Sequence, residues 1–215
     1  MKQVTEAIWN ELLPFAPVFT TRQVAEAAEV DLSNASRDLR RLEGQGMITK
    51  VRRGLWAVPT HPDFSPYAVV PHLFRDEGMG YVSLLSALNL HGMIDQLPRT
   101  VQVVTTRQRA DLDTAVGTFE FHQVDPDLFG GFGPYRRTGN FDIATPEKAL
   151  FDILYLSVRK GRRFRHLPEI ELPEGFSPET VEGWIERVSF GRLRRAVEAR
   201  WKGLGEEPRS DAGRR

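Results

Sequence analysis

The side chains best suited to chemistry are concentrated between residues 31 and 59, DLSNASRDLRRLEGQGMITKVRRGLWAVP, where six Lys or Arg stand against three acidic residues. Within it, Ser33, Asn34, Ser36, Arg37, Arg40 and Arg41 bring hydroxyl, amide and guanidinium donors together in one short run. Amide and guanidinium groups match the acceptor patterns of base edges, and guanidinium also pairs with phosphate. At helical spacing Asn34, Arg37 and Arg41 fall on one side, flanked by Ser33, Ser36 and Arg40, while Ala35, Leu39 and Leu42 share another. The pattern predicts a helix with one packing face and one donor-rich face. Arg52 and Arg53 come just before Gly54, where a tight turn would present them to the same ligand.

Other chemistries find little support in the residue types. With no cysteine there is no disulfide framework, thiolate metal site or cysteine nucleophile. The five histidines, His61, His72, His91, His122 and His166, show no short ligand spacing, so neither a metal nor a cofactor is expected. A restriction-type nuclease would place an acid two residues before a lysine, but Lys50, Lys148, Lys160 and Lys202 are preceded there by Ile48, Pro146, Val158 and Arg200. The run GGFG at 130–133 has no lysine to hold a phosphate and reads as a turn. Glu147, Lys148 and Asp152 lie at a helix start, where ordinary first-turn chemistry accounts for them. No catalytic residue is expected. The basic run RKGRRFRH, 159–166, suits either a solvated helix end or phosphate contact.

The elements that must position the donors can be read from period and punctuation. Val4, Ile8 and Leu12, with Trp9 and Leu13, repeat at helical spacing until Pro14 and Pro17. Thr20 and Gln23 form a capping-box pair that starts a second helix, and its first residues, Thr21 and Arg22, join the candidate DNA-binding set. Ser33 is the expected N-cap of the third helix. Beyond Gly44 and Gly46 the period becomes extended, with MITKV and LWAV separated by RRG. Two helices, a short turn, a donor-rich helix and a basic-tipped hairpin predict a winged helix-turn-helix over residues 1–60.

Pro59, Pro62, Pro66 and Pro71 mark residues 61–79 as a proline-rich connector. From 80 to 204, helical and alternating segments succeed one another, so the fold class is α+β, and 205–215 reads as a disordered tail. The 215 residues balance 29 basic against 29 acidic side chains, but residues 61–157 hold 7 basic and 12 acidic groups and residues 158–215 hold 14 and 10. A nearly neutral protein can still present a local positive face. No run reaches the roughly 20 apolar residues of a membrane helix, and the start lacks the basic and apolar pattern of a signal peptide, so a cytoplasmic location without membrane contact is expected.

The stretches GYVSLLSALNLHGMI, FEFHQV, LFGGF and above all IATPEKALFDILYL are similar to those of the AbiEi antitoxin family of type IV toxin-antitoxin systems. The resemblance runs from the N-terminal helices to about residue 158. It implies a repressor that binds inverted repeats in double-stranded DNA at its own promoter and a second domain that counters a nucleotidyltransferase-like toxin without a stable complex. Some relatives act alone. Two alternatives stay open on the residues: a ligand-sensing winged-helix regulator without a toxin, and a DNA-targeted enzyme with an unrecognised active site.

Overall fold

A computed structural model describes residues 2–74, 79–135, 137, 140–159, 164 and 167–206. Most of the basic run 159–166, most of the tail 205–215 and residues 75–78 of the connector lie outside the described residues.

Helix α1, Lys2–Glu6, continues as a π-helical segment, Ala7–Leu12, whose buried side carries Val4, Ala7 and Ile8. Strand β1, Val18–Thr20, leads directly into helix α2, Thr21–Ala27. The capping box anticipated there is present: the Thr20 hydroxyl accepts from the Gln23 N–H at 3.2 Å, and the Gln23 side chain accepts from the Thr20 N–H at 2.8 Å. Helix α3 spans Leu32–Gly44 and buries Ala35, Leu39 and Leu42, as its period requires. Its N-cap is Asp31 and not Ser33. The Asp31 carboxylate accepts from the Asn34 N–H at 2.8 Å, and a negative charge there also favours the positive end of the helix.

Strands β2, Thr49–Arg52, and β3, Leu55–Ala57, form a hairpin whose turn includes Gly54 at φ 75°. β1 adds to the far side of β3, giving an antiparallel sheet in the order β1-β3-β2. Side chains alternate across it. Phe19, Ile48, Trp56 and Val58 close a core with α1, α2 and α3, whereas Val18, Val51, Leu55 and Ala57 belong to the larger core of the rest of the chain.

The segment 61–79, expected as a proline-rich connector, contains buried structure. Pro66–Leu73 is a 3-10 helix that buries Ala68, Val69, Val70 and Leu73 in the larger core, the same core that takes Val18, Val51, Leu55 and Ala57. Proline suits its first position, and the apolar AVV run supplies the buried side. Each fully buried Val or Leu contributes about 1.5–3 kcal/mol, so residues 1–60 draw part of their stability from the 3-10 helix and the larger core behind it.

The larger core surrounds a mixed six-stranded sheet: β4 is Gly80–Val82, β5 Val101–Thr105, β6 Leu112–Thr114, β7 Gly117–Gln123, β8 Phe132–Tyr135 and β9 Phe141–Ala144. The order is β6-β7-β5-β4-β9-β8, with β5 and β7 parallel, β4 and β9 parallel, and the other pairs antiparallel. All five residues of β5 are buried, as a central strand covered on both faces demands. Helix α4, Leu84–Leu90, and helix α5, Pro146–Arg159, pack together, and α6, Pro178–Glu186, and α7, Gly191–Glu206, lie against α5. Every residue of α5 from Lys148 to Leu156 is buried, which makes it the central helix of an α+β architecture. Its start is as anticipated, with Pro146 in the first position and the Thr145 hydroxyl accepting from the Lys148 N–H at 3.2 Å. Among the described residues no helix is long and apolar enough to cross a membrane.

Candidate nucleic-acid interface

Helix α3 separates its two roles by direction. Ala35 and Leu39 have no exposed surface, while Arg37, Arg40 and Arg41 project into solvent and Asn34 and Ser36 are half-buried. The N-terminal end is ordered by side chains. Asp31 accepts from the Ser33 hydroxyl at 2.7 Å and from both the backbone and the side-chain nitrogen of Asn34. The Asn34 amide oxygen in turn accepts from Nη2 of Arg37. The Ser33 hydroxyl first, and then the Asn34 N–H, hold the Asp31 carboxyl below its usual range.

Of the two residues proposed from α2, Arg22 is exposed and Thr21 is committed elsewhere. The Thr21 hydroxyl accepts from Nε1 of Trp56 at 2.9 Å, and the Thr21 N–H donates to the Gly54 carbonyl at 3.0 Å. Both bonds tie the hairpin to α2, so half-buried Thr21 helps to set the angle of the hairpin.

The hairpin arginines also divide. Arg53 is exposed in the turn. Arg52 is half-buried and its Nη2 donates to the His72 carbonyl at 2.6 Å, while Arg109 Nη2 donates to the Leu73 carbonyl at 3.1 Å. Two guanidinium groups, one from the hairpin and one from the larger unit, thus cap the C-terminal carbonyls of the 3-10 helix. Arg52, expected from the sequence to meet phosphate, thus has one of its donors engaged in clamping the 3-10 helix. Lys50, not singled out from the sequence as a contact, is exposed on β2; alternation with buried Val51 was its available signal.

The larger unit holds a second polar constellation. Lys148 and Asp152 on α5 form an ion pair, Nζ of Lys148 donates to the Tyr81 hydroxyl at 2.9 Å, and Asp152 Oδ2 accepts from Tyr81 at 3.0 Å and from Ser83 at 2.8 Å. All four residues have zero exposure. The Lys148 nitrogen also lies 4.9 Å from the Trp184 ring, 5.1 Å from Phe151 and 5.4 Å from Tyr81. Burial pushes the lysine down and the aspartate up, each opposed by the partner's charge, and burial raises Tyr81. The preceding turn fits closely: a Cβ at Gly131, which has φ 68°, would lie 2.7 Å from the Trp184 ring. Glu147 is outside this cluster, accepting from the Ser177 N–H at 3.2 Å. A closed, mutually satisfied cluster of this kind holds α5 to β4; its groups have no surface at which to meet a substrate. Among the described residues no group of three or more His, Cys, Asp or Glu is placed to hold a metal ion.

No protein-family model and no curated protein matches the sequence. Among solved structures, the fold is similar to the crystal structure of the RV2827C protein from Mycobacterium tuberculosis, at a TM-score of 0.53 and 16% sequence identity, over 95% of this chain and 76% of that one. At this identity the likeness is one of fold alone.

Proposed function

We propose that residues 2–58 form a winged helix-turn-helix that binds double-stranded DNA, with α3 in the major groove and the β2–β3 turn at the backbone. The observation that carries this reading is the division of α3, whose buried Ala35, Leu39 and Leu42 lie opposite exposed Arg37, Arg40 and Arg41. The short α2–α3 connection and the exposed Lys50 and Arg53 of the hairpin support the same ligand. Arg22 and Ser33 lie on exposed surface and join the contact set, while Asn34 and Ser36 line it.

Within that activity, the protein acts as a non-enzymatic, cytoplasmic transcriptional repressor of the AbiEi type. It binds inverted repeats in its own promoter and counters a nucleotidyltransferase-like toxin without a stable complex. This finer assignment rests on the similarity of GYVSLLSALNLHGMI and IATPEKALFDILYL to that family. Mobility shifts on the native promoter test the DNA reading. Arg37→Ala with Arg41→Ala should weaken specific binding by about 1–3 kcal/mol per lost base contact, and unchanged shifts would remove α3 as the reader. Co-expression with a neighbouring nucleotidyltransferase-like gene tests the antitoxin reading separately, by growth.

A further inference from the structure

We propose that Arg37 reads a guanine and that Asp31 and Asn34 are positioning residues that hold its guanidinium for this purpose; the inference rests on the DNA-reading proposal above. A carboxylate only accepts hydrogen bonds, so Asp31 engages the NH2 end of the Asn34 amide and thereby turns the amide oxygen away from itself. That oxygen accepts from Nη2 of Arg37. The order of the chain is therefore set at its acidic end: carboxylate, amide, guanidinium.

This order limits what each side chain can recognise. Each polar end of Asn34 already holds one partner that fixes the amide plane, so reading adenine through its paired acceptor and donor bonds would compete with the bonds to Asp31 and Arg37. Arg37 has spent one donor and keeps others on an exposed guanidinium, and a group that only donates matches the two acceptors, O6 and N7, that guanine presents side by side. Adenine offers a donor at one of those places. Holding the long side chain beforehand also reduces the rotamer freedom lost on binding, which makes discrimination depend on residues that need not touch the base.

The test uses the full chain and a duplex enriched by the wild type from a random pool, with each guanine of a half-site changed in turn to adenine and binding measured by fluorescence anisotropy. One position should show a loss of about 10- to 100-fold, the range of one bidentate contact. Arg37→Ala, which removes every donor, should bring that ratio to about one at this position alone. Asn34→Ala and Asp31→Ser should reduce the same ratio by about 3- to 10-fold, with helix content and urea midpoint near wild type. Serine keeps a capping oxygen for the helix while removing the second oxygen that holds Asn34. Wild-type ratios in both Asp31→Ser and Asn34→Ala would overturn the positioning role, and an unchanged ratio in Arg37→Ala would overturn Arg37 as the guanine reader. Binding by the wild type without any base preference would instead overturn the DNA-reading proposal itself.

Discussion

Helices α3 and α5 each carry a basic side chain linked to an aspartate within two turns, yet the two arrangements stand at opposite ends of exposure. In α3 the chain from Asp31 through Asn34 to Arg37 begins and ends in solvent. In α5 the pair Lys148 and Asp152 is sealed beneath Tyr81, Phe151 and Trp184. Exposed charge pairs contribute little to stability because water and ions screen them, and their groups stay available to a ligand. Buried ones lose hydration that only their partners replace, so their effect is felt when one partner is removed. Residue type alone therefore does not separate a binding surface from a structural bolt; the neighbours that close over the charge do.

The largest effect should come from breaking the buried cluster. Asp152→Ala or Lys148→Ala leaves an uncompensated buried charge and should cost about 3–5 kcal/mol in urea unfolding. The double replacement Lys148→Met with Asp152→Leu should cost far less than the sum. An additive loss would mean that the two charges act independently and would dissolve the contrast with α3.

A smaller and more divided effect is expected at the hairpin. Arg52→Ala removes a charge-assisted bond to the His72 carbonyl and should cost about 1.5–3 kcal/mol of stability. Arg53→Ala should leave the urea midpoint alone and lower the slope of log affinity against log salt by about one. If Arg52→Ala changed only the salt slope, the clamp would be wrong and the residue would be a phosphate contact alone.

The smallest effect concerns pH. The Asp31 carboxyl is held below the value of about 3.9 that it has in an unfolded chain, first by the Ser33 hydroxyl. Its contribution to the start of α3 is therefore fully present above that value and is lost as pH falls through the depressed one. A carboxyl NMR titration of Asp31 should give a midpoint below the ordinary range, moving upward in Ser33→Ala. A midpoint unmoved by that change would remove Ser33 as the main cause.

Much of the candidate interface was legible because it is local. The faces of α3 can be derived from spacing among residues 35–42, the capping box from Thr20 and Gln23, and the hairpin turn from Gly54. Asp31 was missed as the N-cap because Ser33 is an equally good capping residue by type, and the choice lies in backbone angles. β1 has three residues, too few to display a period of two. Arg52 finds its acceptor 20 residues away, on a helix whose two prolines made its segment read as a spacer. Lys148 and Asp152 show their four-residue spacing in the sequence, but their burial depends on Tyr81 and Trp184, brought in from a distant strand and helix.

The central claim is that this chain reads DNA through α3. Selection of bound duplexes from a random pool, run in parallel with wild type and with the Arg37→Ala, Arg41→Ala double variant, tests it most directly. The account predicts an enriched inverted repeat for the wild type, matching the protein's own promoter, and no enrichment for the variant at an unchanged urea midpoint. Enrichment of the same sequence by both proteins, or by neither, would contradict it.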